Sequence, residues 1–154
     1  MVQLKLEDDT PPVGPLIGLY CDYSAIRLCY QLNNRLRFRF KRSTHDYYTK
    51  DAQLTHSFIS FEFSDEQRQL QWQLVENRSI EQELEGSYGM FPVRAQTRWI
   101  NSNENFDFFL WADLEEGYEL LRDELLQSLQ KLPFIKAARE LDSKLQQKFT
   151  KRII

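Results

Sequence analysis

Ile59-Ser-Phe-Glu-Phe-Ser-Asp-Glu-Gln-Arg-Gln-Leu-Gln-Trp-Gln-Leu74 contains two apolar alternations separated by a polar break. Ile59, Phe61 and Phe63 alternate with Ser60 and Glu62, and Leu70, Trp72 and Leu74 alternate with Gln69, Gln71 and Gln73. Strand side chains point to opposite faces with period two, so each run is a strand with one apolar and one polar face. The Ser-Asp-Glu-Gln-Arg stretch at 64–68 is longer than a minimal two-residue turn, and it closes an antiparallel hairpin. A hairpin with a polar outer face belongs to an antiparallel sheet covered on its apolar side.

Before the hairpin, Val2, Leu4 and Leu6 alternate as a first strand or extended arm, and the proline-rich 10–15 segment is a turn. Leu16 to Cys21 is a compact apolar strand. Asp22 or Ser24 caps a helix on which Ala25, Leu28, Cys29 and Leu32 recur, and Asn33-Asn34 can end it. The polar residues 43–55 predict a loop. After the hairpin, Gly86, Gly89 and Pro92 break the 77–104 region, with a strand available from Val93 to Ile100.

Phe106 to Leu114 predicts a strand with Phe106, Phe108, Leu110 and Ala112 on one face. Asp107, Phe109, Trp111 and Asp113 make the other face half apolar, so part of it must be covered. Tyr118, Leu121, Leu125 and Leu129 step at helical intervals until Pro133. Phe134–Leu141 is a short strand or a new helix, and Leu141, Leu145 and Phe149 have helical spacing. The order predicts an α+β two-layer sandwich in one domain, 1–154, with a mostly antiparallel sheet and two main helices on one face.

Arg35-Leu-Arg-Phe-Arg-Phe-Lys-Arg42 also alternates, and it predicts a strand with Leu36, Phe38 and Phe40 inward. Arg35, Arg37, Arg39 and Lys41 then form a row of cations in a chain of net charge -3. The plainer reading is a solvated face whose charges pair across strands, with Glu62 for example. The more specific reading is a docking surface for an acidic protein partner. RNA is the disfavoured alternative, because alternation sends the aromatics away from the cations and no RNA-binding sheet motif is present. Phe109 and Trp111 offer base stacking only if their face is open.

At 154 residues the chain can bury a core without staples. Its aromatic share of 14% favours β structure. Cys21 and Cys29 make no disulfide framework, and with two His they are too few for a zinc motif, so no metal or cofactor is expected. The N-terminus lacks the apolar run of a signal peptide, and no stretch approaches the roughly 18 apolar residues of a membrane span. A cytoplasmic protein that does not engage membranes is expected.

No nucleophile elbow, phosphate loop or dinucleotide fingerprint occurs. His45 and His56 read as exposed loop histidines. Asp107 and Asp113 are about 20 Å apart by strand rise, too far to act together. Asp107, set among aromatics, needs a dedicated partner, and Arg78 after the hairpin is the candidate. Both are assigned structural roles. The absence of a catalytic signature predicts a non-enzymatic binding or accessory protein.

Ile100-Asn-Ser-Asn-Glu-Asn-Phe-Asp-Phe-Phe-Leu110 resembles in spacing the signature of the IPExxxVDY family of Bacteroidota proteins. Ile100, Asp107 and Phe108 stand at its Ile, Asp and aromatic positions. Asn101, Ser102 and Phe106 replace its Pro, Glu and Val. Leu16-Ile-Gly18, Arg27–Asn33 and Asn77-Arg78 are similar landmarks in the same order. The resemblance carries no biochemical activity. Genes for such proteins tend to lie beside those for the double-strand ribonuclease and for acyl carrier protein with its condensing enzyme, which implies an accessory role in RNA processing or fatty-acid synthesis. Without Glu at position 102, the signature does not read as catalytic.

Overall fold

The computed structural model describes residues 14–50, 54–83, 94–102, 104–114 and 117–153. The strand expected at Val2–Leu6 and the breakers Gly86, Gly89 and Pro92 lie outside them. The elements are β1 Leu16–Tyr20, α1 Ala25–Leu36, β2 Lys41–Arg42, β3 Tyr47–Lys50, β4 Thr55–Phe58, β5 Ser60–Asp65 and β6 Leu70–Glu76. There follow β7 Gln82–Glu83, β8 Arg94–Ala95, β9 Phe108–Ala112, α2 Tyr118–Gln130, β10 Ala137–Glu140 and α3 Ser143–Ile153. The main sheet has the order β10-β1-β9-β6-β5-β2, every neighbour antiparallel. β3 pairs with β4 and β7 with β8 in two small ribbons.

The chain is an α+β protein, and α1 and α2 cover one face of the sheet. Ala25, Leu28, Cys29 and Leu32 of α1 and Leu125 and Leu129 of α2 pack on Ile17, Leu19, Trp72, Leu74, Phe108 and Leu110. Alternation sends Leu16, Val75, Phe109 and Trp111 to the opposite face. There they join Phe58 of β4, Trp99, Ile100 and Phe106 of the 97–106 loop, and Leu145 and Phe149 of α3. Each large apolar side chain taken out of water contributes about 1.5–3 kcal/mol, so the two aromatics of β9 are enough to recruit this cover. Every residue of β9 is buried, as a central strand between two layers requires.

Five expectations need correction. Arg35–Arg42 is not one strand: Arg35 and Leu36 end α1, Arg37 takes the left-handed conformation (φ 59°, ψ 27°), and only Lys41 and Arg42 pair with β5. Asn33-Asn34 does not stop the helix because Asn33 is engaged elsewhere. Its Oδ1 accepts the Phe40 N–H (2.9 Å) and its Nδ2 donates to the Phe40 carbonyl (3.1 Å), serving 37–40 in place of a neighbouring strand. Residues 43–55 are not all loop. Tyr47 pairs with Phe58 and Thr49 with His56, and Tyr47 and Phe58 pack on Trp99. His56 is therefore buried rather than exposed.

Phe106 faces the second layer, not the face of Phe108. Leu19 is opposite Phe108 in register, yet its carbonyl also accepts the Asp107 N–H (2.8 Å). Two residues against one is a bulge, which turns the side chain before it. The Phe106 ring lies against Gly18, where an added Cβ would be 2.5 Å from the ring atoms.

Candidate functional site

The cations singled out from the sequence gather at the C-terminal end of α1. Arg35 occupies the last turn of that helix, where a positive charge suits the exposed carbonyls. Phe38 and Phe40 are buried with their rings 5.0 Å apart, and Phe38 meets Trp72 edge-on at 5.1 Å. Those two anchors, with the Asn33 clamp, hold the chain extended and send Arg39 and Lys41 to solvent. The alternation thus survives without a strand ladder. Arg35, Arg37, Arg39 and Lys41 are all exposed.

Their partners distinguish them from most other cations. Arg42 binds Asp46, Arg122 binds Glu140 at 3.1 Å, Lys136 binds Asp22 at 2.6 Å and Arg139 binds Glu104 at 3.2 Å. Among the described residues, none of Arg35, Arg37, Arg39 and Lys41 forms an ion pair or a side-chain hydrogen bond. Lys41 stands opposite the half-buried Glu62 in register, so the cross-strand position exists without the ion pair.

Arg37 and Arg39 stand on the rim of a cleft of about 780 Å³ between the 36–39 segment, the β5–β6 turn and α2. Phe38, Phe63, Trp72 and Leu125 form its apolar floor, and Glu66, Arg68 and Glu124 are on the remaining rim. The exposed face of α1 adds Ile26 and Tyr30, one turn apart and 72% and 62% exposed. Exposed arginines on the rim of an apolar cleft are the composition of a protein-docking surface.

Asp107 and Arg78 are brought together away from this row. Asp107 Oδ2 accepts the Cys21 N–H at 2.9 Å, and its Oδ1 lies 3.5 Å from Arg78 Nη2. A crevice of about 100 Å³ beside them is lined by Cys21, Asp22, Tyr23 and Glu76. Burial, opposed by Arg78 and reinforced by Asp107, pushes the Glu76 carboxyl above its ordinary range. Burial also pushes the Cys21 thiol up and the Cys29 thiol up to about 11, so neither is a ready nucleophile. Asp113 accepts the Gln71 N–H at 2.7 Å, at the other end of β9. His45 is exposed on a loop. Among the described residues no cluster of His, Cys, Asp and Glu is able to hold a metal ion, and no helix is long and apolar enough to cross a membrane.

No protein-family model, curated protein or solved structure matches this chain.

Three polar residues organise these places: Asn33, which the sequence offered only as a helix stop, Asn77, which it offered only as a landmark, and Arg98, which it passed over. Asn77 is fully buried and joins Ile100 and Phe106 through its side chain. An Asn directly after an alternating strand is the only available signal, and its partners lie 23 and 29 residues away.

Proposed function

We propose that this chain is a non-catalytic binding protein that docks an acidic protein partner through Arg35, Arg37, Arg39 and Lys41. The observation that carries the reading is that, among the described residues, these four exposed cations find no acidic partner, in a chain with 23 acidic residues against 20 basic ones. Intramolecular pairing elsewhere uses exposed cations where an acid is within reach. Here the helix end and the Phe38 and Phe40 anchors hold the charges forward instead. Ile26 and Tyr30 supply apolar contact area, and the cleft floor supplies a place for an anchoring side chain.

RNA binding has less support. Phe38, Phe40, Phe109 and Trp111 are all buried, so the cations have none of these rings beside them as a stacking platform.

The resemblance to the IPExxxVDY family makes acyl carrier protein the first acidic partner to test. Association measured by surface plasmon resonance should weaken steeply with added salt. The Arg37→Glu/Arg39→Glu variant should lose it while its circular dichroism spectrum is unchanged. Undiminished binding by that variant eliminates the basic row, and absence of binding by the native chain eliminates the carrier protein.

A further inference from the structure

A second, separate pair of arginines carries an inference that does not depend on the docking row. Arg78 and Arg98 are opposed in an isolated antiparallel bridge. Ser79 N–H donates to the Thr97 carbonyl (2.8 Å) and Trp99 N–H to the Asn77 carbonyl (2.9 Å), flanking the bridge on both sides. That pattern makes 78 and 98 a non-hydrogen-bonded pair, the closer of the two antiparallel arrangements, with Cα atoms about 4.5 Å apart. Asn77, Ser79 and Trp99 are buried, so the alternation turns both arginines outward together. Like charges directly opposite each other are destabilising, and here the buried neighbours enforce the juxtaposition.

The two side chains border an open groove of about 370 Å³ whose other lining residues are Gln96, Thr97 and Asn101. Those five residues supply cations and neutral polar groups and no carboxylate. Gln96 Nε2 donates to the Ser79 carbonyl (2.9 Å) and Thr97 N–H to Ser79 Oγ (2.9 Å), which fixes the strand that carries Arg98. Arg98 Nη1 donates to the Phe106 carbonyl at 3.1 Å. Arg78 reaches Asp107 only at 3.5 Å, longer than the roughly 2.7–2.9 Å of a tight charge-assisted bond. Each guanidinium has five N–H donors, so among the described residues most of this donor capacity is uncommitted.

We propose that Arg78 and Arg98 form a binding site for the phosphoryl group of a small molecule. A tetrahedral dianion between two guanidinium forks removes the like-charge repulsion and accepts several charge-assisted hydrogen bonds. Asp107 and the Phe106 carbonyl each engage one nitrogen of a fork, which leaves its other N–H groups to the anion.

Titration calorimetry and thermal melts with inorganic phosphate test this, against sodium chloride of matched ionic strength. Phosphate should bind saturably and raise the melting temperature beyond chloride. Arg98→Ala and Arg78→Ala should each weaken binding about tenfold or more, the loss of one charge-assisted contact of about 1.4 kcal/mol. Arg98→Lys keeps the charge and loses the fork, so it should also bind more weakly, and it controls for any misfolding of the alanine variants. Equal effects of phosphate and chloride overturn the site, as does native affinity in folded Arg98→Lys and Arg98→Ala. Citrate binding as tightly as phosphate overturns the phosphoryl preference. A short single-stranded RNA that binds where phosphate does not overturns the small-molecule assignment.

Discussion

Removing the Asn77 side chain should unfasten the 97–106 loop from the sheet. Its Nδ2 donates to the carbonyls of Ile100 (3.2 Å) and Phe106 (2.9 Å), and its Oδ1 accepts the Ile100 N–H (2.8 Å). All three bonds are buried. Asn77→Ala orphans the Ile100 N–H, which costs about 1–3 kcal/mol, and deprives two carbonyls of a donor at about 1 kcal/mol each. Phe106 keeps the donation from Arg98, so the total should be roughly 2–4 kcal/mol. At about 2–4 °C per kcal/mol for a domain of this size, the melting temperature should fall by roughly 10 °C. Urea denaturation followed by circular dichroism reads the change directly, with the slope unchanged if the unfolded state is unaffected. Asn77→Asp keeps the acceptor but sets a carboxylate against two carbonyls. It should be at least as damaging at neutral pH and recover in part on acidification, when the protonated acid regains a donor. A loss below about 1 kcal/mol for Asn77→Ala, within the range of a single exchanged hydrogen bond, would refute this account of the loop.

Gly18→Ala should destabilise by about 1–3 kcal/mol, because its Cβ would meet the Phe106 ring, which Tyr20 and Phe109 hold in place. Adding Phe106→Leu should restore part of the urea midpoint, and an unchanged midpoint in Gly18→Ala alone would show that the ring can retreat. Glu76→Gln should raise the melting temperature at neutral pH. The folded carboxyl sits above its unfolded value, so the stability it contributes is complete below that unfolded value and is lost as pH rises through the folded one. Melts from acid to neutral pH should show the gap between the two proteins opening upward, and identical curves at neutral pH would sink the assignment. Asp107→Asn should lower stability by about 1–3 kcal/mol through its bonds to the Cys21 N–H and Arg78. An unchanged or raised melting temperature in that variant would count against a structural role.

Strong local periodicity made most of the architecture legible. The β5–β6 hairpin alternates, α1 and α2 step at helical intervals, and β1 and β9 are short apolar runs, whereas the tail that forms α3 offered helical spacing without a firm assignment. The half-apolar second face of β9 likewise announced that something must cover it. The sequence could not say what, because Trp99, Phe58 and Phe149 come from three separate segments and meet only in the folded chain. The same limit explains the β3–β4 ribbon. Tyr47 and Phe58 are too sparse to mark strands until Trp99 gives them something to bury against.

For the candidate sites, the sequence alone determined which residues carry charge and that Arg39 and Lys41 point away from Phe38 and Phe40. The tertiary structure decided the backbone that presents them. A side-chain amide seven residues earlier replaces the strand neighbour that alternation implied, and a left-handed residue follows a helix that runs on past the asparagines. It also decided which cations find acids and which remain unpaired, and it placed Arg78 against Arg98. Ion pairing depends on distances of a few ångströms between residues far apart in the chain. No local pattern encodes those distances, and only the packed sheet and its two covering layers fix them.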